Sequence, residues 1–245
     1  YKYNPDGTYN KANQNTNFSL KLNHAIGQKS YYETNIFYST TDYSQFVFED
    51  TQDPDYVRTD WINTEPSSAT FVFGGTQMGH SYRKSYSSGG KLDFTSQITS
   101  RHEIKTGISA RTDNLTEENF TVLYSDQYRE PTVLEANESP YHNLYENQTL
   151  FLSGYVQDKI ELEDLILNVG VRFDRFDFGS EAPASWDELY LSNGRIDHVA
   201  SGYSKVDPYT YISPRFGVSF PVTDKTVLHA QYGKFVQHPI LNRLY

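Results

Sequence analysis

The fold is decided by one stretch, Leu150–Asp174, which reads LFLSGYVQDKIELEDLILNVGVRFD. We expect a first strand from Leu150 to Ile160, after which the polar residues 161–164 turn the chain back. In the second strand the apolar residues alternate with polar ones: Leu167, Val169, Val171 and Phe173 against Asn168, Gly170, Arg172 and Asp174. Alternation with period two is typical of a strand with two unlike faces, so the stretch predicts a β-hairpin.

Three further hairpins follow from the same alternation. Their strands are expected at about 17–26 with 31–39, 82–98 with 103–111, and 212–220 with 227–233. Together with the first hairpin they make eight strands. Short turns near residues 28, 100, 162 and 223 alternate with long segments at about 41–79, 112–147 and 179–208. Short turns at one end and long loops at the other are typical of an outer-membrane β-barrel.

The composition excludes several classes of protein. The 245 residues carry 21 Lys and Arg against 31 Asp and Glu, which gives a net charge of −10 and argues against nucleic-acid binding. There is no Cys, and 16% of the residues are aromatic. No apolar run approaches the 20 or so residues that a transmembrane helix needs. The chain opens at Tyr1 in a polar turn sequence, and we expect it to be a piece of a longer protein.

Five short motifs on these strands resemble the barrel of TonB-dependent outer-membrane receptors. The family patterns HxxKxG, YxQD, NxGxRxD, SPRxGxxYP and YGxFxQxP are similar to residues 102–107, 155–158, 168–174, 213–221 and 232–239. The match at the end of the fourth motif is incomplete, because Phe220 stands where the family has Tyr. The matches span about residues 91–245, and the earlier part agrees in pattern only.

The resemblance implies a fold and a cellular role. It implies an all-β, antiparallel, up-and-down transmembrane barrel of 22 strands, of which residues 1–245 form an arc of about eight strands. The plug domain and the TonB box of such receptors are absent from these residues. The implied role is transport of a scarce substrate, such as a siderophore, cobalamin or an oligosaccharide, across the outer membrane of a Gram-negative bacterium. The long, acidic and aromatic loops are similar to receptors of Bacteroidetes-like bacteria that carry an extra carboxypeptidase-regulatory-like domain.

The same resemblance implies the partners of the chain. They are outer-membrane lipid, TonB acting through the missing N-terminal region, a small-molecule, glycan or peptide substrate, and in some members a surface lipoprotein. The long loops would then be extracellular, and no nucleic acid is expected.

Two groups of residues are candidates for a site. Aromatic side chains stack on sugars and flat ligands, so the candidates for substrate contact are the loop aromatics Tyr43, Tyr56, Trp61, Tyr128, Trp186 and Tyr190. The alternative is that these rings only hold the loops together. Arg172, Asp174 and Arg215 lie on the polar strand faces, and we expect them to line the lumen in a structural role.

No catalytic or metal site is predicted, and no cofactor. The seven His residues are scattered without ligand spacing, and no nucleophile-elbow sequence occurs. Asp50, Asp53, Asp55 and Asp60 share one loop, where calcium could order them, but they lack a fixed spacing of ligands. The chain is therefore not expected to be an enzyme.

Two other interpretations make distinct predictions. A soluble all-β carbohydrate-binding or adhesin module would bury its apolar strand faces against a second layer. A small eight-stranded outer-membrane porin or enzyme would close on itself, so that its first and last strands would pair.

Overall fold

A computed structural model describes residues 4–58, 75–183, 203–223 and 225–237. Within these ranges a short 3-10 turn at Pro5–Gly7 precedes ten strands. The strands are β1 (Asn10–Ile26), β2 (Ser30–Phe46), β3 (Gly79–Gln97), β4 (His102–Thr121), β5 (His142–Glu161), β6 (Ile166–Asp177), β7 (Glu181–Pro183), β8 (Tyr203–Lys205), β9 (Tyr209–Thr223) and β10 (Thr226–Gly233). The expected all-β fold is confirmed.

Eight of the strands form one antiparallel sheet in the order β1-β2-β3-β4-β5-β6-β9-β10. Each strand therefore lies beside its neighbour in sequence, apart from the small β7–β8 ladder inserted between β6 and β9. This order confirms the up-and-down arrangement of four hairpins. In the part of the chain that the structure describes, β1 and β10 are the two edges and do not pair with each other, which contradicts a small closed barrel.

The turns are as short as the sequence predicts. Residues 27–29, 98–101, 162–165 and 224–225 join the strands of the four hairpins. Gly27 in the first turn has a φ of 74°, in the left-handed region that glycine enters without a steric penalty. The other ends of the strands are joined by the longer connections 47–78, 122–141 and 178–208.

The strands extend further towards the long connections than the sequence predicts. Residues 41–46, 112–121 and 142–147, expected in loops, belong to β2, β4 and β5. Both faces of these extensions carry polar side chains, as in 112–119, which reads TDNLTEEN. Hydropathy therefore stops alternating there although the backbone ladder continues, and the third connection likewise contains β7 and β8.

The register shows which residues of neighbouring strands share a face of the sheet. In β5, β6 and β9 the residues Val156, Val171 and Pro214 lie opposite one another, and the next row contains Tyr155, Arg172 and Ser213. Residues directly opposite in antiparallel strands point to the same face. We call the face with Val171 the apolar face and the face with Arg172 the polar face.

The apolar face is exposed, whereas two carboxylates of the polar face are buried. Phe18, Ile108 and Ile212 retain 60%, 64% and 62% of their accessible surface. Asp113 and Asp174 retain only 4% and 5%. Among the described residues the apolar rows do not pack against a second sheet or a helix. This contradicts the alternative of a soluble all-β carbohydrate-binding or adhesin module. This polarity is the reverse of a domain folded in water.

The described residues fall into two compact units. The first contains 4–17, 39–58, 75–86 and 114–147, and the second contains 18–38, 87–113, 148–183, 203–223 and 225–237. The first unit has a small core of Tyr56, Met78 and Val122, against which Phe48, Phe120, Tyr124 and Val133 pack. Within the described ranges, no helix has the length and hydropathy required to cross a membrane.

Candidate functional site

Ion pairs between residues two positions apart recur on the polar face. Residues i and i+2 of a strand lie on the same face, so each pair forms within one strand. The pairs in the second unit are Lys91–Asp93 at 2.6 Å, Lys105–Glu103 at 3.1 Å, Arg111–Asp113 at 2.8 Å, Lys159–Glu161 at 2.5 Å and Arg172–Asp174 at 2.8 Å. Each of these five pairs is neutral overall.

The Arg172–Asp174 pair is the most closely held of these. The Arg172 Nε donates to both carboxylate oxygens of Asp174, at 2.9 and 3.0 Å, and its Nη2 lies 2.8 Å from Oδ1. The Asp174 side chain is almost fully buried, while that of Arg172 is about one third exposed. Burial of a carboxylate is tolerated here because the guanidinium bonds it in this two-pronged geometry.

Arg215 lies on the same face as Arg172 but has a different environment. The register places Ser213 opposite Arg172 and Arg215 opposite Gly170, so both arginines project from the polar face. The Arg215 guanidinium is exposed and lies 5.1 Å from the centre of the Phe235 ring, in a cation–π contact.

Two contacts across strands tie β3, β4 and β5 together. The Tyr155 hydroxyl donates to Asp93 Oδ1 at 2.8 Å, reaching from β5 to β3 across Gly107 of β4. A Cβ on Gly107 would lie 2.6 Å from Tyr155 Cε1 and even closer to Asp93 Oδ1. Nearer the tight turns, His102 Nδ1 lies 2.7 Å from Asp158 Oδ2.

Aromatic rings cover the polar face towards the third long connection. Phe151, Phe176 and Phe178 contact one another at centroid distances of 5.6 to 6.4 Å. Tyr211 and Tyr209 extend the cluster, each 5.9 Å from a phenylalanine ring. Below these rings a cavity of about 170 Å³ is bounded by the Arg172–Asp174 pair, Arg111 and the serines 109 and 153.

In the first unit, a second polar group joins β3 and β4, and one of the predicted aromatics lies on β2. Arg83 forms two hydrogen bonds to Glu117, at 3.1 and 3.0 Å, and Asn119 also donates to Glu117. Tyr43 donates to Gln45 at 2.8 Å and is half-buried. Tyr43 lies within β2, so the prediction that it belongs to a loop is wrong: the strand continues through polar residues there.

Tyr56 is buried inside the first long connection. Its side chain is 3% exposed, and its hydroxyl lies 2.8 Å from His80 Nε2 and 3.2 Å from the Phe48 carbonyl. Burial raises the pKa of Tyr56 to about 12. The structure thus favours the alternative for this residue, namely that the ring holds the connection together.

Comparison with known protein families identifies the family to which this sheet belongs. A family model described as "TonB dependent receptor-like, beta-barrel" matches residues 1–245. The chain belongs to the TonB-dependent receptor β-barrel family. Barrels of this family lie in the outer membrane of Gram-negative bacteria. No match is found among curated proteins.

Two solved transporter structures share the fold of this chain. The unliganded ferric citrate transporter FecA superposes with a TM-score of 0.57 at 15% identity, over 91% of this chain and 27% of FecA. The copper transporter OprC gives a TM-score of 0.54 at 15% identity, over 90% of this chain and 30% of OprC. The chain therefore spans less than a third of either transporter.

The remaining predicted contacts of this receptor barrel are placed as follows. Tyr128 lies half-buried in the connection 122–141. Trp61, Trp186 and Tyr190 lie outside the described residues. Asp50 and Asp53 accept hydrogen bonds from the backbone amides of residues 52 and 55, so their carboxylates cap turns. In the described part of the chain, no three metal-ligating side chains cluster.

Sequence analysis missed several residues around the cavity. Ser109, Arg111, Phe151 and Ser153 were not predicted as site residues, although Arg111-Thr112-Asp113 has the same spacing as Arg172-Phe173-Asp174. The Arg-x-Asp spacing occurs twice, on β4 and on β6, and this repeat is the sequence pattern that could have indicated these residues.

Proposed function

We propose that residues 1–245 form part of the barrel wall of an outer-membrane TonB-dependent transport receptor. In this proposal the apolar face contacts lipid acyl chains and the polar face lines an enclosed aqueous lumen. The tight turns lie on the periplasmic side and the long connections are extracellular, as in other outer-membrane barrels. The plug domain and the TonB box belong to parts of the receptor outside these residues.

The observation that supports this proposal most strongly is the reversed polarity of the sheet. Rows of Leu, Ile, Val and Phe are exposed on one face, while carboxylates are buried beside arginines on the other. Exposed apolar surface costs about 25 cal/mol per Å² in water, but nothing comparable in hydrocarbon. A bilayer also requires every backbone group to be paired, which an eight-stranded section achieves once the rest of the barrel covers its edges.

We assign Arg172, Asp174 and Arg215 to the lumen wall. Charged side chains on a lumen face avoid lipid and can pair with one another or with a plug. The close Arg172–Asp174 pair supports a structural role, whereas exposed Arg215 remains available to a partner.

The proposed activity is import of a scarce substrate, such as a siderophore, cobalamin or an oligosaccharide. FecA and OprC are named as transporters of ferric citrate and of copper, and these two relatives of the same fold support the proposal of import. Tyr43 and Tyr128 are the described aromatics that we propose for substrate contact, with Trp61, Trp186 and Tyr190 as further candidates. A surface lipoprotein is a further proposed partner.

Arginine substitutions at adjacent positions of β6 test the proposal. Val169 lies on the apolar face and is 45% exposed, while its neighbour Asn168 lies on the polar face at the same depth. In the full receptor, Val169→Arg is expected to cost about 2–4 kcal/mol of unfolding free energy near the bilayer midplane, and less near an interface. The matched control Asn168→Arg is expected to cost far less.

The measurement is urea unfolding of the receptor reconstituted in phospholipid bilayers. Equal costs for the two substitutions, or a larger cost for Asn168→Arg, would contradict the assignment of the two faces.

A further inference from the structure

The cavity on the polar face lies in the second unit, across strands β4, β5 and β6. It is lined by Ser109 and Arg111, by Phe151 and Ser153, and by Arg172 and Asp174. Its volume is about 170 Å³, close to the ~150 Å³ of an engineered protein cavity that accepts a benzene ring. This space suits a single six-membered ring.

The charges at the cavity are neutralised in pairs. Arg111 is bonded through Nε to Asp113, which is 4% exposed, and Arg172 is bonded to Asp174. Each guanidinium carries five N–H donors, and the ion pairs occupy only some of them. The cavity therefore offers directed hydrogen-bond donors without a net positive charge. An anionic ligand would instead need an unpaired cation to offset its desolvation.

The floor of the cavity carries hydroxyl groups. The Oγ atoms of Ser109 and Ser153 lie 2.7 Å apart and share one hydrogen bond. Each hydroxyl has one donor and two acceptor positions, so the pair can still bond a ligand hydroxyl.

The cavity also has an apolar boundary. Phe151 and Phe176 line it and contact each other edge-on at 5.6 Å. A sugar ring has the matching chemistry: a rim of hydroxyls that both donate and accept, and C–H faces that pack on aromatic rings.

We propose that this cavity is a binding subsite for one ring of an uncharged, polyhydroxylated substrate, such as a sugar unit of a longer glycan. The subsite rests on the proposed function, because it must be reached from the lumen of the barrel. It narrows the substrate to a neutral ring and assigns Arg111 and Ser153 to its recognition, while Arg172 keeps its structural pair with Asp174.

The test is saturation-transfer NMR on the full receptor in detergent micelles. The probes are glucose, mannose, galactose, xylose and N-acetylglucosamine at millimolar concentration, with citrate as an anionic comparison. We expect transfer to at least one sugar and none to citrate. Ser153→Phe fills the cavity and should abolish the transfer, whereas Gln231→Phe, on the polar face of β10 outside the cavity, should preserve it.

Arg111→Lys provides a second variant that keeps the charge and leaves the cavity open. It removes the planar donor fork, so we expect sugar affinity to fall about threefold to tenfold. If Ser153→Phe does not assemble, shown by loss of the heat-modifiable band of a folded barrel, Arg111→Lys decides.

Three results would overturn the subsite. The first is transfer to no sugar, and the second is binding of citrate that these substitutions weaken. The third is unchanged sugar binding in Ser153→Phe, or in Arg111→Lys where Ser153→Phe does not assemble. Any of them in a receptor that assembles in the outer membrane removes the subsite alone. Failure of the receptor to enter the membrane would instead contradict the proposed function.

Discussion

Gly107 and Tyr155 are joined by a contact that explains two motif residues of the receptor barrel at once. The Tyr155 hydroxyl reaches Asp93 only because β4 has no side chain at Gly107. His102 and Asp158, which belong to the same two motifs, are bonded at 2.7 Å nearer the turns. The HxxKxG and YxQD motifs in this chain therefore supply contacts on both faces of the sheet: Gly107 and Tyr155 meet on the polar face, and His102 and Asp158 meet on the other.

Substitution of Gly107 tests this contact. Gly107→Ala would place a Cβ within 2.6 Å of the Tyr155 ring, and overpacking of this kind typically costs about 1–3 kcal/mol. Gly154→Ala on β5 is the control, because its Cβ would meet only ordinary contacts of 3.7 and 3.8 Å. Urea unfolding of the full receptor in bilayers should show the cost for the first variant only.

The partner of Gly107 can be checked by a double substitution. With Tyr155→Ala already present, Gly107→Ala should cost less than in the native receptor, because the ring it meets has been removed. Strictly additive costs would show that Tyr155 does not carry the effect.

The residues of the site could be predicted from sequence only in part. Alternation placed Arg172, Asp174 and Arg215 on the polar face, and the register shows that they share it. Alternation says nothing about residues of different strands that meet, such as Asp93 and Tyr155, which are 62 positions apart. An aromatic ring in a loop suits both ligand binding and packing, so the sequence alone does not distinguish the two roles for Tyr56. Its burial arises from the fold of the connection.

At the scale of the elements, the main difference between the strands predicted from sequence and those in the structure is that the observed strands are longer. The four hairpins and their turns follow from hydrophobic alternation, which persists wherever one face is apolar. Beyond that zone the ladder continues with polar side chains on both faces, so the sequence carries no period. β4 continues to Thr121, whose amide donates to the Tyr141 carbonyl at 2.9 Å.

Hydrogen exchange tests these extensions. If β4 runs to Thr121, amides of 112–121 in the assembled receptor should be protected by orders of magnitude relative to an unstructured peptide. Residues 104–110 of the same strand serve as the internal reference. Exchange of 112–121 at peptide rates, with 104–110 protected, would show that the strand ends where the alternation ends.

At the scale of the molecule, one face of a sheet is exposed and apolar while the other holds neutralised charges. The polar face is built from short-range pairs within single strands, such as Arg111–Asp113 and Arg172–Asp174. The apolar side needs no partner layer if hydrocarbon covers it. The proposed transport and the proposed sugar subsite both depend on this separation between the two faces.

Site-directed spin labelling along β6 tests this separation most directly. The 245 residues contain no Cys, so single cysteines at positions 167–173 can be labelled one at a time in the bilayer-reconstituted receptor. We predict that accessibility alternates with period two. Labels at 167, 169, 171 and 173 should collide with oxygen dissolved in lipid, and labels at 168, 170 and 172 with a water-soluble nickel reagent. Equal access to the nickel reagent at all seven positions would contradict the account.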